Sequence, residues 1–311
     1  MKTPIRFTAL ALSLLFSSGA ALAADLKVGV TFSSFDDNYL TSVRGYMEQY
    51  VKALPKGDGV QLQFEDARAD VVKQLSQVES FISQKVDAII VTPVDTASTA
   101  RISKAATEAG IPLVYVNRRP DQKDLPKGVA AVTSDDEEAG RLQMQYIAEK
   151  MGGKGNIVIL LGDLANNSTT NRTKGIKDVL KKYPDIKIEQ EQTGIWLRDR
   201  GMTLTNDWLT QGREFNAVLS NNDEMAIGAA MALKSSGSKP GSVLIAGVDG
   251  TTDGLNAIAK GEMAASVFQD AKGQGVGAVD AARKLANKET TEQNIVIPFK
   301  LITLDNLKDF K

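Results

Sequence analysis

The stretch KVGVTFSSFDDNYLTSVRGYMEQYVKALPKGDGVQLQF (residues 27–64) decides the fold, because it reads in turn as a strand, a helix and a strand. Its two ends, KVGVTF and VQLQF, are short runs of β-branched and apolar residues typical of strands. Between them an apolar residue recurs every three or four positions, at Leu40, Val43, Met47, Val51 and Leu54. One apolar stripe along a helix has this spacing, so the stretch predicts a βαβ unit with parallel strands.

The same alternation of strands and helices continues almost to the end of the chain. A second apolar stripe, at Val71, Leu75, Val78 and Ile82, predicts another helix. Further predicted strands are DAIIVT (87–92), PLVYV (112–116), GVAAVT (128–133), NIVILL (156–161), NAVLS (216–220) and VLIAGV (243–248). Several of these runs are apolar at every position, as in strands that are covered on both faces. The pattern predicts an α/β protein with two doubly wound parallel-sheet lobes joined by short crossings.

Two residue types are missing from the 311-residue chain, which has no Cys and no His. Their absence excludes Ser-His-Asp and Cys-His nucleophile systems, HExxH zinc sites and imidazole bases. Carboxylate, lysine or tyrosine chemistry, or a bound cofactor or hard cation, would remain for an enzyme. Lys and Arg number 37 against 38 Asp and Glu, so no basic excess favours a nucleic-acid partner.

The first 23 residues read as a secretory signal peptide. Lys2 and Arg6 precede the apolar run at 7–16, and the small-x-small sequence ALA (21–23) is typical of a cleavage site. The run is shorter than the ~20 residues of a membrane span. We expect cleavage after Ala23 and a free protein in the periplasm, with an uncleaved N-terminal helix as the alternative.

Several polar residues read as helix caps or as ordinary surface and core residues when taken singly. Ser134 with Glu137 fits a capping box, so the acidic run 135–138 is interpreted as helix capping and not as a metal site. The segment GQGVG (273–277) lacks dinucleotide-binding spacing and is interpreted as close helix packing or a loose loop, not as a nucleotide site. Taken alone, Asp36, Asp223 and Asp253 would be N-caps, Trp196 a core residue, and Arg119, Arg198 and Arg200 solvent-exposed residues.

Polar side chains nevertheless gather in the loops that follow the predicted strands. These loops contain SSFDDNY (33–39), NRR (117–119), NR (171–172), NNDE (221–224) and DG (249–250), and Gln269 follows a strand-like run at 264–268. Ligands of open parallel sheets bind beyond the carboxyl ends of the strands. Arg donates two parallel hydrogen bonds, Asp accepts two, and Asn or Gln does one of each, which suits the vicinal hydroxyls of a sugar or cyclitol. Tyr39 and Trp196 could stack on its C–H faces.

Four local sequences carry a resemblance to a known family: FDDNYLTSVRG (35–45), VNR (116–118), NNDEMAIGA (221–229) and VLIAGVDGTTDG (243–254). With them the chain resembles the periplasmic sugar-binding proteins of ABC importers, the type I periplasmic binding proteins that include binders of ribose, galactose, inositol and rhizopines. The last two sequences also occur in related sugar-responsive repressors. Those repressors begin with a DNA-binding helix pair, whereas this chain begins with an export signal.

The resemblance implies an α/β protein of two doubly wound parallel-sheet lobes joined by a hinge of three crossings. The N-terminal lobe would comprise residues 24–134 plus 270–296, and the C-terminal lobe residues 135–269 plus 297–311. The lobes would close on one small-molecule sugar or cyclitol, and the closed monomer would be recognised by the permease of an ABC transporter. A chemotaxis receptor is a second, compatible partner.

The resemblance also implies which residues contact the ligand. They are Ser33, Asp37, Tyr39, Leu40, Asn117, Arg118, Arg172, Trp196, Asn222, Asp249 and Gln269. The ribose-binding pattern has Asn where this chain has Asp37, Phe at the positions of Tyr39 and Leu40, and Asp at that of Asn117. A flat furanose between three aromatic rings is therefore less favoured than a six-membered polyol, or a ligand with an amine for Asp37.

Our main hypothesis from the sequence is a periplasmic solute-binding protein for a monosaccharide or cyclic polyol, with an inositol-type ligand preferred. It is not an enzyme, and we expect no cofactor, no metal and no nucleic-acid partner. A ribose or galactose binder of the same family is one alternative. A secreted carbohydrate-active enzyme that uses Asp37 and Asp249 as paired carboxylates is another.

Overall fold

The computed structural model of the protein describes residues 25–55 and 58–310. The predicted signal peptide and its cleavage site lie outside these residues. The first elements are β1 (Leu26–Phe32), α1 (Asn38–Lys52), β2 (Val60–Asp66), α2 (Val71–Ser83), β3 (Ala88–Val91), α3 (Thr99–Glu108), β4 (Leu113–Asn117) and β5 (Val129–Thr133). All the strands predicted in this half are therefore present, with ends that differ by one or two residues.

The second half repeats the alternation of strands and helices. Its elements are α4 (Asp136–Lys150), β6 (Lys154–Leu161), α5 (Asn167–Leu180), β7 (Asp185–Thr193), α6 (Arg198–Thr210), β8 (Ala217–Ser220), α7 (Asp223–Ser235), β9 (Leu244–Asp249), α8 (Thr252–Ala259), β10 (Ala265–Phe268) and α9 (Ala271–Ala286). The chain then forms β11 (Asn294–Val296), β12 (Lys300–Thr303) and a 3-10 helix at Leu307–Phe310. Sequence reasoning missed β7, β11 and β12.

The strands form two six-stranded sheets, one for each lobe. The N-terminal lobe has the order β11-β5-β4-β3-β1-β2, and all its pairs are parallel. The C-terminal lobe has the order β12-β10-β9-β8-β6-β7, in which only the pair of β10 with β12 is antiparallel. The strand order reverses between β1 and β3 in the N-terminal sheet and between β6 and β8 in the C-terminal sheet. Crevices for ligands open at such reversals, beyond the carboxyl ends of the strands.

The chain passes between the two sheets three times: after β5, after β10, and between β11 and β12. Helix α9 follows the second passage and packs on the first sheet, where it contacts α1. The predicted fold class, with two doubly wound lobes and a three-crossing hinge, is confirmed.

Alternate side chains of the central strands enter different cores. Ile90 and Val114 pack with α1 and α9 on one face of the first sheet, whereas Ile89 and Leu113 pack with α2 and α3 on the other face. The four side chains are fully buried, and burying each contributes about 1.5–3 kcal/mol of hydrophobic stabilisation. Burial on both faces explains why the predicted strands are apolar at every position.

The predicted helix caps are each displaced by one or two positions. Asp37, Asp135, Asn222 and Thr251 accept the capping hydrogen bonds of α1, α4, α7 and α8. The predicted caps at Asp36, Ser134, Asp223 and Asp253 are therefore wrong. The Ser134 hydroxyl instead accepts a hydrogen bond from Gln274, Asp253 pairs with Arg198, and Asp223 is buried beneath the loop after β9. The acidic run 135–138 does serve the start of α4, as predicted, although Asp135 is its cap.

Close packing of α4 on α5 positions α5, the helix that carries Arg172. Helices α4 and α5 cross so tightly that a Cβ atom on Gly140 would lie 1.9 Å from the backbone oxygen of Arg172, and one on Gly175 would lie 2.1 Å from that of Glu137. The glycine segment 273–277 behaves similarly, because a Cβ on Gly275 would lie 2.7 Å from the Val43 oxygen on α1. The prediction of close packing for this segment agrees with this contact.

Within residues 25–55 and 58–310, no helix combines the length and the hydrophobicity that crossing a membrane requires.

We predict opposite effects of alanine at two helical glycines. Gly140→Ala should lower the free energy of unfolding by about 2–3 kcal/mol, because the methyl group collides with the α5 backbone. Gly45→Ala should raise it by about 0.5–1 kcal/mol, because Gly45 lies inside α1 with no atom within 4 Å of the added Cβ. Urea denaturation of both variants measures the difference. Equal effects would contradict the packing of α4 on α5.

Candidate ligand-binding site

A cleft between the carboxyl ends of the two sheets brings together most of the residues predicted to contact the ligand. It contains a cavity of about 240 Å³ and a smaller inner pocket of about 20 Å³. Ten of the eleven predicted residues line one or both: Ser33, Asp37, Tyr39, Asn117, Arg118, Arg172, Trp196, Asn222, Asp249 and Gln269. A volume below the ~300–1,000 Å³ common for small-molecule sites suits a ligand of monosaccharide size.

Leu40 is the predicted residue that the structure places elsewhere. Its side chain is 1% exposed and packs in the core of the N-terminal lobe with Val43 and Met47. The helical stripe of α1 explains this position, because residues three and seven positions apart share the buried face.

Arg172 is the buried centre of the C-terminal half of the site. It lies in the second turn of α5 and is 4% exposed. Its Nε donates to Asp136 Oδ1 at 2.8 Å, Nη1 to the Asn221 carbonyl at 2.6 Å, and Nη2 to Gln269 Oε1 at 3.1 Å. Burial by itself would lower the pKa of Arg172, but Asp136 and Asp249 raise it above the ordinary value. The guanidinium is thus a permanent cation that joins α4, α5 and the ends of β8 and β10.

Asp249 ends β9 and faces Arg172, with 3.7 Å between its Oδ1 and Arg172 Nη1. Burial raises the pKa of Asp249 well above the ordinary value, although Arg172 opposes this effect. Its backbone φ is +123°, and Asn117 at the end of β4 has φ +68°. Positive φ angles are strained for residues other than glycine and cluster at functional sites. These two turns aim Asp249 and Asn117 into the inner pocket.

The N-terminal side of the cleft combines a carboxylate with a second buried arginine. Asp37 accepts a hydrogen bond from the Leu40 N–H at 3.0 Å, and its Oδ2 lies 4.0 Å from Arg118 Nη2. Arg118 also donates from Nη1 to the Pro93 carbonyl at 2.8 Å. Burial lowers the pKa of Arg118, and Asp37 opposes that shift. Ser33 lies beside them, and its buried Oγ has no hydrogen-bond partner in the described part of the chain.

Gln274 orients Tyr39 and Asn117, two of the predicted ligand contacts. Sequence reasoning missed it. This fully buried side chain on α9 accepts hydrogen bonds from Tyr39 Oη at 3.1 Å and from Asn117 Nδ2 at 3.2 Å. Its own Nε2 donates to Ser134 Oγ at 3.0 Å. Burial, followed by the charge of Asp249, raises the pKa of Tyr39 well above the ordinary value. The tyrosine therefore stays protonated and fixed.

Trp196 lines the cleft and at the same time packs against the core of the C-terminal lobe. Its Nε1 donates to Asn166 Oδ1 at 3.0 Å, and its backbone carbonyl accepts from Asn222 Nδ2 at 3.0 Å. Gly162 is required beneath the ring, because a Cβ there would lie 2.1 Å from the indole. The Arg172 guanidinium carbon lies 5.8 Å from the ring centroid. The indole is thus a fixed wall of both cavities.

Other lining residues were not among the predicted contacts. They are Ser34, Asp36, Asn38, Ala69, Val94, Asp163, Asn166, Ser168, Ile195, Leu197, Arg198 and Glu224. Arg198 is partly buried, because it donates from Nε and Nη2 to Glu224 at 2.8 and 2.9 Å. Asn38 in turn donates to Glu224 at 2.9 Å across the cleft. Three of them, Asp36, Asn38 and Glu224, belong to the polar loops after strands described above. That position could have identified them as lining residues from the sequence.

The lining carries a surplus of acidic groups. Asp36, Asp37, Asp163, Glu224 and Asp249 make five carboxyl groups, against three arginines at 118, 172 and 198. No group of three or more acidic, His or Cys side chains in the described ranges is arranged to hold a metal ion. The three arginines, and the carboxylates other than that of Asp36, are instead paired with one another or with amide and carbonyl groups. Such a lining can pair with hydroxyl or amine groups of a small polar ligand.

Comparison with known proteins identifies the family. Residues 28–290 match the model of a family described as a periplasmic binding protein domain. The chain belongs to the periplasmic binding proteins. It is therefore a solute-binding protein and not an enzyme, and the alternative of a carbohydrate-active enzyme with Asp37 and Asp249 as its carboxylate pair is wrong.

Relatives of this periplasmic binding protein have named or bound ligands. A protein of Rhizobium meliloti described as "Putative rhizopine-binding protein" is 50% identical over 287 residues, which are 91% of this chain and 92% of the relative. The xylitol-binding protein of Mycolicibacterium smegmatis is 37% identical and is aligned over 93% of this chain and 80% of its own. A solute-binding protein of an ABC transporter from Bacillus halodurans, solved with bound myo-inositol, is 38% identical, with a TM-score of 0.87 and coverage of 93% and 98%.

In this periplasmic binding protein, Asp223 supports the turn that carries Asp249. Its carboxylate accepts from Ser266 Oγ at 2.6 Å, from the Thr251 N–H at 2.8 Å and from Thr251 Oγ1 at 3.0 Å. Ser266 Oγ in turn accepts from the Gly250 N–H at 3.1 Å. Burial raises the pKa of Asp223 to about 6, despite these hydrogen bonds. Ionisation of this buried carboxyl group therefore lowers the free energy of unfolding.

We predict a pH-dependent difference in stability between the wild type and Asp223→Asn. Because the pKa of Asp223 in the folded state, about 6, exceeds the ordinary value of 3.8, the wild type loses stability relative to the variant as the pH rises from about 4 to 6. The full loss amounts to roughly 3 kcal/mol. Urea denaturation of both proteins between pH 4 and pH 8 measures it. A difference that stays constant with pH, or that shifts in favour of the wild type as the pH rises, would show that the Asp223 carboxyl group is not buried as described.

Proposed function

We propose that this protein captures a monosaccharide or cyclic polyol, preferably an inositol-type ligand, between its two lobes and delivers it to an ABC permease. The observation that carries the proposal is the composition of the cleft: buried Arg118 and Arg172, carboxyl groups of Asp37 and Asp249, and the fixed indole of Trp196. The ten lining residues predicted from the sequence are proposed as its ligand contacts.

The hydrogen-bonding capacity of the cleft supports a polyol. Arg172 uses three of its five N–H groups within the described chain, which leaves two for a ligand. Gln269 uses only its Oε1 on Arg172, so its Nε2 remains a donor, and the Ser33 hydroxyl has no partner in the described chain. Because leaving a buried polar group unpaired costs about 1–3 kcal/mol, such a site selects a ligand with matching hydroxyls.

Two observations favour an inositol-type ligand over ribose. Leu40 is aliphatic and buried in the core, so this part of the N-terminal side offers the single ring of Tyr39 and not a pair of aromatic faces to a furanose. Two relatives also favour an inositol-type ligand, because one is described as rhizopine-binding and another was solved with bound myo-inositol. The acidic surplus around Asp37 further suits a cyclitol that bears an amine.

Lobe closure is the proposed mechanism. We propose residues 24–134 plus 270–296 as the N-terminal lobe and residues 135–269 plus 297–311 as the C-terminal lobe, which rotate about the three crossings. Ligand bonds from both lobes are made together only in the closed form, so ligand shifts the population towards that form. The relatives are periplasmic binding proteins, and we propose a periplasmic monomer, exported by the signal peptide, that docks on a permease and also on a chemotaxis receptor.

A thermal-shift panel tests the ligand class. At 100 times Kd a ligand adds about 2.7 kcal/mol to the free energy of unfolding, which raises Tm by on the order of 5 °C. We expect this shift with myo-inositol and with an amino-inositol, and smaller shifts with ribose, galactose, glucose and xylitol. A shift with ribose, galactose, glucose or xylitol but with neither inositol would overturn the preference for a cyclitol. No shift with any of the six would overturn polyol binding.

Calorimetry on variants tests the contacts. Arg172→Ala and Asp249→Asn should each weaken binding of myo-inositol by roughly 10- to 100-fold, because each removes a charged partner of the ligand. Lys177→Ala is the matched control on the same helix, since its ammonium pairs with Glu191 on the surface. Asp249→Asn keeps the side-chain volume, so it remains informative if Arg172→Ala fails to fold. Unchanged affinity in both site variants would refute their assignment.

A further inference from the structure

Asn166 occupies the N-cap position of α5, yet its side chain makes no capping hydrogen bond. The residue is 1% exposed and lies between the two lobes, next to the cleft. Asn at this position normally accepts a hydrogen bond from the first turn of the helix. The side chain of Asn166 is therefore committed to other partners.

Those partners belong to different lobes, and one is a hydrogen-bond donor whereas the other is an acceptor. The Asn166 Oδ1 accepts the hydrogen bond from Trp196 Nε1 at 3.0 Å, and its Nδ2 donates to the Val94 carbonyl at 2.7 Å. The indole N–H can only donate and the carbonyl can only accept. These two partners fix the orientation of the amide, and a carboxylate at this position would place an oxygen against the Val94 oxygen.

The neighbouring residues continue the contact between the lobes without touching Trp196. The Thr96 N–H donates to the Ala165 carbonyl at 3.1 Å, and the Asn167 N–H donates to Thr96 Oγ1 at 3.2 Å. Asn167 Nδ2 donates to the Arg119 carbonyl at 2.7 Å and to Asp121 at 2.8 Å. Segment 165–167 thus holds one rim of the cleft closed, and within it Asn166 reaches the aromatic wall.

From this geometry we infer that Asn166 is a positioning residue that couples the orientation of Trp196 to closure of the lobes. A ligand packed on the indole holds the ring, the ring holds the Asn166 oxygen, and the amide nitrogen then points at Val94 of the opposite lobe. Coupling of this kind is reciprocal, so closure also orders Trp196. The inference rests on the proposed function, because it takes Trp196 as a wall of the ligand site.

Three variants separate the two bonds of Asn166. Asn166→Asp keeps an acceptor for Trp196 but loses the donor to Val94, Asn166→Ala loses both, and Asn167→Ala removes interlobe bonds without touching Trp196. Hydrogen exchange of the Trp196 indole N–H, followed by NMR, reports the first bond. The lobe distance, measured between spin labels on Val72→Cys and Lys234→Cys in this chain without native Cys, reports the second with and without myo-inositol.

We expect Asn166→Asp and Asn166→Ala to weaken binding of myo-inositol by on the order of ten-fold and to lower the closed fraction. Asn166→Ala should speed indole exchange in ligand-free protein at least ten-fold. Asn166→Asp and Asn167→Ala, which keep the acceptor of the indole N–H and act only by lowering the closed fraction, should speed it by a smaller factor. Unchanged exchange in Asn166→Ala, or a closed fraction in Asn166→Asp equal to that of the wild type, would overturn the role of Asn166. Failure of wild type to bind myo-inositol would instead count against the proposed ligand, since the exchange measurement needs none.

Discussion

The site depends on the buried guanidinium of Arg172. A cation that is 4% exposed is stable only when its N–H groups have partners, and here Asp136, the Asn221 carbonyl and Gln269 supply them. These partners come from the first turn of α4 and from the ends of β8 and β10. The close approach of α4 and α5, which Gly140 and Gly175 allow, holds the helix that carries Arg172 in place. One ion network thereby fixes the strand ends around the cleft.

The two lobes contribute unlike halves to the cleft. The C-terminal lobe offers the network of Arg172 and Asp249 with the indole of Trp196, whereas the N-terminal lobe offers Asp37 and Arg118 at the rim of β1 and β4. Arg118 and Arg172 each donate hydrogen bonds within their own lobe, whereas the Ser33 hydroxyl and Gln269 Nε2 have no partner in the described chain. We propose that a ligand binds one half first and gains the contacts of the other half on closure. This gain is the free-energy difference that shifts the population towards the closed form.

The sequence predicted the central strands of both sheets because they are buried on both faces and therefore uniformly apolar. It did not predict β7, whose sequence DIKIEQEQT is largely polar, because this edge strand is exposed along most of its length. The short strands β11 and β12 are also edge strands, and their three and four residues carry too little pattern. The edge strand β2 could be predicted because its sequence VQLQF alternates apolar and polar residues, a pattern that these three strands do not carry clearly enough.

Topology also decides which residues of the site could be predicted from the sequence. Residues at strand ends, such as Asn117 and Asp249, could be found because the topology alone brings them to one edge. Leu40 was misplaced although its helical stripe already marked it as a core position. Asn166 and Gln274 were missed because their roles depend on partners 30 and more residues away in the chain, and nothing in their local sequence distinguishes them from a cap or a helix surface residue.

The most direct test is a crystal structure of residues 24–311 grown with saturating myo-inositol. We expect one cyclitol in the cleft between the sheets, with its ring against Trp196 and its hydroxyls within hydrogen-bond distance of Arg172 and Asp249. An empty cleft, or a cyclitol bound away from Arg172 and Asp249, would contradict this expectation.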